Sequence, residues 1–160
     1  MTWLAWVFGI VAAVINAFLY RFGGISKEDG KKKYPWAPEW MFASWVRDWL
    51  IPLVITGWML ICYPSVDWWI YVASILPMGG ALSTYWDWLF GFDNYWFHGF
   101  MFGVAKFGFA IVTGMWIGFG IHCIVLALAM GGISAIAGDD DVEELGRGAA
   151  TGLTLPLMLI

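Results

Sequence analysis

Four stretches of at least eighteen residues in this chain contain no Asp, Glu, Lys or Arg. They cover residues 1–20, 49–66, 68–86 and 107–138. A bilayer core is about 30 Å thick and a helix rises about 1.5 Å per residue, so roughly 20 apolar residues make one crossing. Because each stretch is close to that length or longer, the pattern predicts an all-α integral membrane protein, built as a helical bundle.

The predicted membrane domain is single, covers residues 1–160 and has four transmembrane helices. Its spans are expected at about 3–22, 41–63, 68–86 and 107–137, with polar loops at 23–38, 87–106 and 138–147. Only 12% of the residues are charged, whereas a soluble domain averages about 25%. The apolar residues 148–160 are too few for a standard fifth span, and three placements stay open for them: packing against the bundle, re-entry, or an interfacial position.

Basic residues predict the orientation of the bundle. The densest positive cluster follows the first span and contains Arg21, Lys27, Lys31, Lys32 and Lys33. Because short positive loops stay on the cytoplasmic side, we expect loop 23–38 in the cytoplasm and the amino terminus outside, in a bacterial inner membrane. Alternating crossings then place the acidic loop 138–147 outside. The formal charge of −4 argues against nucleic acid as a partner.

The chain contains 13 Trp residues, and most of them flank the predicted spans. They include Trp36, Trp40, Trp45, Trp49, Trp68, Trp69, Trp86, Trp88 and Trp96. An indole ring has an apolar body and one N–H, so it is favoured at headgroup depth. We interpret these residues as aromatic belts that contact the lipid bilayer.

One loop combines the side chains that could perform catalysis or bind a metal. Asp87, Asp93 and His98 lie within twelve positions that are otherwise rich in aromatic residues and glycine. Carboxylates and an imidazole suit a divalent metal or general acid–base catalysis. The structural alternative is that Asp93 caps a helix and Asp87 anchors the third span at the headgroups. We favour that alternative and expect no cofactor, although a divalent metal on these three residues remains open.

Three further polar residues form a predicted network near or within the spans. His122 lies at the middle of the fourth run, where an ionisable group suggests a function by default. It either relays protons or donates a single hydrogen bond across a helix pair as a neutral imidazole. Arg47 and Asp48 are adjacent on a helix and therefore need separate partners, with Asp87 or Asp93 expected for Arg47.

The fourth run also carries a predicted helix-packing motif. Gly114 and Gly118 have the small-xxx-small spacing that lets two backbones approach closely in lipid. A neighbouring span or a second copy of the chain could use this face. Lys106, just before the run, is expected to extend its ammonium group to the lipid headgroups.

The second half of the chain resembles a group of known proteins. The similar residues run from Tyr85-Trp-Asp87 through Phe-Gly91-Phe-Asp93-Asn94-Tyr-Trp-Phe-His98-Gly99, and continue in Val-Glu-Glu144-Leu-Gly-Arg147-Gly148. This pattern resembles small multi-span membrane proteins encoded in phage and prophage genomes, a group without an assigned activity. The resemblance implies a viral or prophage origin.

Three functions are compatible with the sequence. The first is a non-enzymatic accessory or assembly role, with a homo-oligomer or another membrane protein as partner. The second is a channel or a lysis-type protein that permeabilises the membrane, in which His122 would line a polar path. The third is a metal-dependent hydrolase of a lipid or headgroup that uses Asp87, Asp93 and His98. We favour the first, so the protein is not expected to be an enzyme.

Overall fold

A computed structural model describes residues 2–23, 25–62, 67–73, 106–108 and 110–159 of the chain. The regular elements in these ranges are all helical, which confirms the predicted all-α class. The α-helices are α1 (Thr2–Gly23), α2 (Lys27–Lys33), α3 (Ser44–Cys62), α4 (Trp116–Ile136) and α5 (Asp140–Leu153), and 3-10 helices cover Glu39–Phe42 and Leu155–Leu159. Residues 68–73, 106–108 and 110–113 are also helical.

Helices α1 and α3 pack against each other in antiparallel directions. Near the start of α1, the indole Nε1 of Trp58 donates a hydrogen bond of 3.0 Å to the carbonyl of Ala5. At the other end, the ring of Phe42 lies edge-on to that of Phe22. The largest buried cluster between these ends contains Ala5, Ala12, Leu19, Val46, Ile51, Ile55, Trp58, Met59, Tyr71, Leu155 and Met158. The last two residues of that set show that the carboxyl-terminal segment belongs to the core.

Residues 140–159, which we call the C-terminal arm, run antiparallel to α1. The arm begins where Asp141 contacts Arg21 at the end of α1. Further along, Gly148 lies directly on the backbone of Ala17, and Pro156 reaches Gly9. A Cβ atom at Gly148 would lie 2.6 Å from the Cα atom of Ala17, so only glycine permits this approach. Of the three placements left open for residues 148–160, the structure shows packing against the other helices.

Two helices in the described ranges are long and apolar enough to cross a bilayer. They are Trp3–Gly23 and Trp116–Ile136, each of 21 residues. In the second predicted span, the apolar helical stretch is shorter and covers Asp48–Cys62. The third predicted span, 68–86, falls mostly outside the described residues. The described residues therefore contain two candidate spans where the sequence predicts four.

The fourth predicted span, 107–137, is not one helix. The helical residues 110–113 end at Gly114, whose φ angle is 71°, and α4 starts anew at Trp116. A residue with a Cβ atom avoids this left-handed conformation, whereas glycine adopts it at little cost. The predicted Gly114–Gly118 face is wrong, because Gly114 lies in the turn and only Gly118 packs against a neighbouring backbone. The uncharged run predicted a continuous helix because it carries no signal for the turn other than this glycine.

The acidic loop 138–147 lies on the same side as the basic residues after α1, and its predicted place on the opposite side is wrong. Asp141 forms ion pairs with Arg21, at 2.5 Å, and with Lys33. The uncharged run predicts one crossing between residues 107 and 138. The turn at Gly114 changes that count, because the chain reverses direction there.

Candidate functional site

The turn at Gly114 brings two ionisable side chains together. Gly114 stands eight residues after Lys106 and eight residues before His122. When the chain folds back at this turn, Nζ of Lys106 comes within 2.8 Å of Nε2 of His122. The ring of Phe107 packs beside those of Trp116 and Phe119, with centroids 5.5 and 5.8 Å away, and holds the two halves of the hairpin together.

The C-terminal arm supplies the other contact of the imidazole. Nδ1 of His122 lies 2.9 Å from the carbonyl oxygen of Thr154, at the point where α5 passes into the last 3-10 helix. That carbonyl also accepts the backbone N–H of Leu157 at 3.1 Å, so the imidazole uses its second lone pair. Gly118, one turn earlier on α4, is in direct backbone contact with Met158 and allows the arm to approach.

These two contacts determine which nitrogen of His122 carries a proton. A carbonyl oxygen only accepts hydrogen bonds, so Nδ1 must be the protonated nitrogen that donates to Thr154. We therefore assign a neutral imidazole whose Nε2 accepts from the ammonium group of Lys106. If both groups were fully protonated, two donors would face each other at 2.8 Å. The Lys106–His122 pair therefore holds at most one positive charge.

The pair lies near the middle of the helices and is fully enclosed. His122 is 0% exposed and Lys106 is 3% exposed. The arm residue Gly152, two positions before Thr154, contacts the backbone of Ala13 at the midpoint of α1. The site is thus about ten residues, or roughly 15 Å, from either end of α1. A charge at such a position is costly unless it is paired, and the His122 nitrogen is the partner that Lys106 has here.

A second buried hydrogen bond lies beside the pair on the same arm. Nδ2 of Asn16 donates to the hydroxyl oxygen of Thr151 at 2.9 Å, and that hydroxyl donates to the carbonyl of Gly148 at 2.6 Å. Asn16 is 0% exposed. The three groups fix the arm against α1 one turn away from Thr154, so they position the carbonyl that His122 contacts.

The structure locates the predicted site residues only in part. Asp87, Asp93 and His98 lie outside the described residues, and so does the side chain of Arg47, which belongs to the first turn of α3. Asp48, also near the start of α3, is 3% exposed. The predicted Arg47 contacts with Asp87 or Asp93 therefore stay predictions.

The metal-dependent hydrolase also stays a prediction. Among the residues that the structure describes, no three His, Cys, Asp or Glu side chains are grouped as metal ligands. The three proposed ligands are all in the part of the chain without described positions.

Two residues of the site differ from the sequence prediction: Lys106 lies elsewhere than predicted, and Thr154 was not predicted to take part. Lys106 was predicted to reach the headgroups, but it is buried beside His122. The equal spacing of Lys106 and His122 around Gly114 was the signal that could have revealed the hairpin. No comparable pattern marks Thr154, because a backbone carbonyl contacts the imidazole and every residue has one.

Comparisons with known proteins do not assign this site to a family. Neither family models, curated proteins nor solved structures show a match to the chain.

Proposed function

We propose that the chain is an integral membrane protein in which the Lys106–His122 pair binds and releases one proton. The observation that carries this proposal is the distance of 2.8 Å between two fully enclosed nitrogens at mid-helix depth. Ionisable groups inside membrane-spanning bundles are costly, and they commonly mark proton relays. The proposal develops the function expected for His122 and names its partner.

Membrane insertion is supported by the apolar surface of α1 and α4. Ile10 and Val14 on α1 are more than half exposed, as are Ile124 and Leu128 on α4. Such large exposed apolar surfaces are unfavourable in water and normal in contact with lipid. The bacterial inner membrane remains part of this proposal. The four-span bundle is replaced by an odd number of crossings, because four crossings would separate loop 138–147 from loop 23–38, and Asp141 pairs with Arg21 and Lys33.

The positions of the basic residues support a cytoplasmic location for the end of the bundle that contains Arg21, α2 and the start of α5. Arg21, the lysines of α2 and Arg147 all lie there. Positive residues favour the cytoplasmic side, so the amino terminus is placed outside. In this orientation α1 and α4 cross in the same direction, and loop 138–147 lies in the cytoplasm with loop 23–38.

The chemistry of the site follows from its hydrogen bonds. Nδ1 is held by the Thr154 carbonyl, so only Nε2 of His122 and Nζ of Lys106 exchange the proton. The proton moves along this single hydrogen bond, and its loss leaves two neutral groups. Cys123, next to His122 on α4, is a further titratable side chain close enough to Lys106 to feel its charge. The site therefore alternates between a charge of +1 and neutrality.

Proton uptake in reconstituted vesicles tests the proposal. Vesicles that contain a pH-sensitive dye are given a pH gradient, with valinomycin and potassium to hold the membrane potential. We expect the wild type to dissipate the gradient at least tenfold faster than empty vesicles. His122→Gln and Lys106→Met should lose this flux, because neither side chain exchanges a proton.

Lys27→Met is the matched control. It removes a lysine by the same change, but from an exposed ion pair with Glu39. Its flux should equal that of the wild type. Equal flux in wild-type protein, both site variants and empty vesicles would refute the proposal.

A second candidate function is the assembly role predicted from the sequence. It is favoured by one face of α4, where Ile117, Ile124 and Leu128 are 74%, 64% and 71% exposed. Spacings of seven and four residues put these side chains on one side of the helix. Light scattering in detergent should then give a multiple of 18.0 kDa, reduced by Ile124→Trp. A monomeric mass for the wild type contradicts this function.

A further inference from the structure

Helix α2 has two charged faces with different surroundings. Residues four positions apart lie on the same side of a helix, so Asp29 and Lys33 share one face, and Lys27 and Lys31 share the other. Asp29 and Lys33 line a polar cavity that is bounded by the acidic first turn of α5. Lys27 and Lys31 instead contact residues 37–39. The second face is therefore directed away from the carboxylates of α5.

The second face carries one positive charge in excess. Lys27 pairs with the carboxylate of Glu39 at 2.5 Å. Nζ of Lys31 donates to the carbonyl oxygen of Ala37 at 2.9 Å and to that of Pro35 at 3.4 Å. Both acceptors are uncharged, and within the described ranges Lys31 has no carboxylate of its own. An ammonium group has three N–H donors, so the third is available to an anion.

An exposed indole lies beside this ammonium group. Trp36 stands between the two residues whose carbonyls accept from Lys31. Its ring lies edge-on to those of Phe22 and Tyr34, with centroids 5.9 and 6.3 Å away. Trp36 is nevertheless 68% exposed, so these contacts fix the position of the indole without burying it. A fixed apolar ring beside a cation suits a ligand with an anionic and an apolar part.

Close packing also fixes the position of Lys31. A Cβ atom at Gly30 would lie 2.5 Å from the ring of Phe42, so the glycine lets α2 lie directly on that ring. The N–H of Tyr34 donates to the carbonyl of Gly30 at 2.7 Å and connects α2 to the segment that follows. The ammonium and the indole are therefore pre-organised, which lowers the entropic cost of binding a ligand.

We propose that Lys31 and Trp36 bind an anionic phospholipid, with the ammonium group on the phosphate and the indole against the upper part of an acyl chain. The two residues follow the end of α1, which is long and apolar enough to span a bilayer, so they lie at headgroup depth in the proposed orientation. Trp40, on the same segment, is 55% exposed and adds a second indole. The excess positive charge repels the trimethylammonium group of phosphatidylcholine and favours phosphatidylglycerol. This inference rests on the proposed membrane insertion, but not on the proton site.

Native mass spectrometry of protein released from mixed vesicles tests the inference. The vesicles contain equal parts of phosphatidylglycerol and phosphatidylcholine. We expect one phosphatidylglycerol retained per chain, about fivefold above phosphatidylcholine, which is the factor for one lysine near an anionic surface. Lys31→Met should retain the two lipids equally. Lys32→Met is the matched control, because it removes the next lysine along the chain, whose side chain is 78% exposed, and it should keep the preference.

Two further variants separate lipid binding from an effect of Lys31→Met on folding. Glu39→Gln removes the carboxylate of this face and keeps Lys31, so it should raise the preference for phosphatidylglycerol by a similar factor. Trp36→Ser removes the exposed indole and should lower the amount of phosphatidylglycerol retained. Millimolar inorganic phosphate should not displace the lipid, because it has no acyl chain to contact the indole.

Four results would overturn the site. They are equal retention of both lipids by the wild type, an equal loss of preference in Lys31→Met and Lys32→Met, an unchanged preference in Glu39→Gln, and displacement of the lipid by inorganic phosphate. Flotation of the protein with the vesicles reports separately on membrane insertion. Proton flux measured on the same preparations reports separately on the Lys106–His122 pair.

Discussion

Replacing Gly148 by alanine should separate the C-terminal arm from α1. The added Cβ atom would lie 2.6 Å from the Cα atom of Ala17 and closer still to the carbonyl oxygen of Asn16. Ordinary contact begins at 3.4 Å, so the two backbones must move apart by about 1 Å. Both neighbours are backbone atoms, which cannot rotate away as a flexible side chain does.

The magnitude follows from two opposing effects. Overpacking of this kind costs about 1–3 kcal/mol. Alanine gains up to about 1 kcal/mol over glycine in a helix interior. We therefore expect Gly148→Ala to lower the free energy of unfolding by up to about 2 kcal/mol, which is the upper overpacking cost less the helix-propensity gain. The displacement also weakens the contact between Thr154 and His122, since both depend on the position of the arm.

The assay is unfolding in mixed micelles titrated with denaturing detergent, followed by circular dichroism. Protease sensitivity of the arm should rise in parallel, because local opening precedes cleavage. Gly131→Ala is the matched control, since no atom lies within 4 Å of a Cβ atom at that position of α4. Its stability should be unchanged or slightly raised. If Gly148→Ala and Gly131→Ala behave alike, the close fit of the arm is refuted.

Three further perturbations test other contacts. Gly114→Ala places a Cβ atom at a φ angle of 71°, which costs about 1–2 kcal/mol. The nuclear magnetic resonance spectrum of the His122 ring should therefore change, because the hairpin is disturbed. An unchanged ring spectrum contradicts this prediction. Thr151→Val removes the hydrogen-bond acceptor of Asn16 and should lower the free energy of unfolding by about 0.6–2 kcal/mol. The same detergent titration measures this change, and an unchanged free energy of unfolding argues against the Asn16–Thr151 hydrogen bond. Lys27 lowers the pKa of the exposed Glu39 carboxyl from 4.5, so their contact stabilises the fold above pH 4.5 and is lost as pH falls further. The pH dependence of unfolding should therefore be shallower in Glu39→Gln, and identical curves speak against the contact.

The helical class could be predicted because it depends on local properties of the chain. In an apolar environment, a long uncharged run is expected to form a helix, because a helix pairs the backbone N–H and C=O groups within the run itself. The Asp139 cap of α5, whose carboxylate accepts from the N–H of Val142 at 2.8 Å, is a similarly local feature. Such features need no knowledge of which segments meet.

The candidate site depended on contacts between distant segments. Lys106 reaches His122 only because the chain turns at Gly114, and Thr154 reaches the same ring only because the arm lies on α1. An uncharged run of this length is equally compatible with one long helix and with a hairpin, since both can remove apolar side chains from water. Packing between α1, α4 and the arm selects the hairpin.

The pattern of charged residues along the sequence identified the polar segments but misplaced the acidic segment relative to the basic one. The basic cluster after α1 and the acidic residues near Asp141 were predicted on opposite sides, whereas Asp141 pairs with Arg21 and Lys33. The uncharged runs by themselves determined that the long helices α1 and α4 are apolar, because burial from water depends on each residue's own chemistry. The tertiary structure decided which charges meet, because an ion pair depends on the distance between two segments and not on their order in the chain.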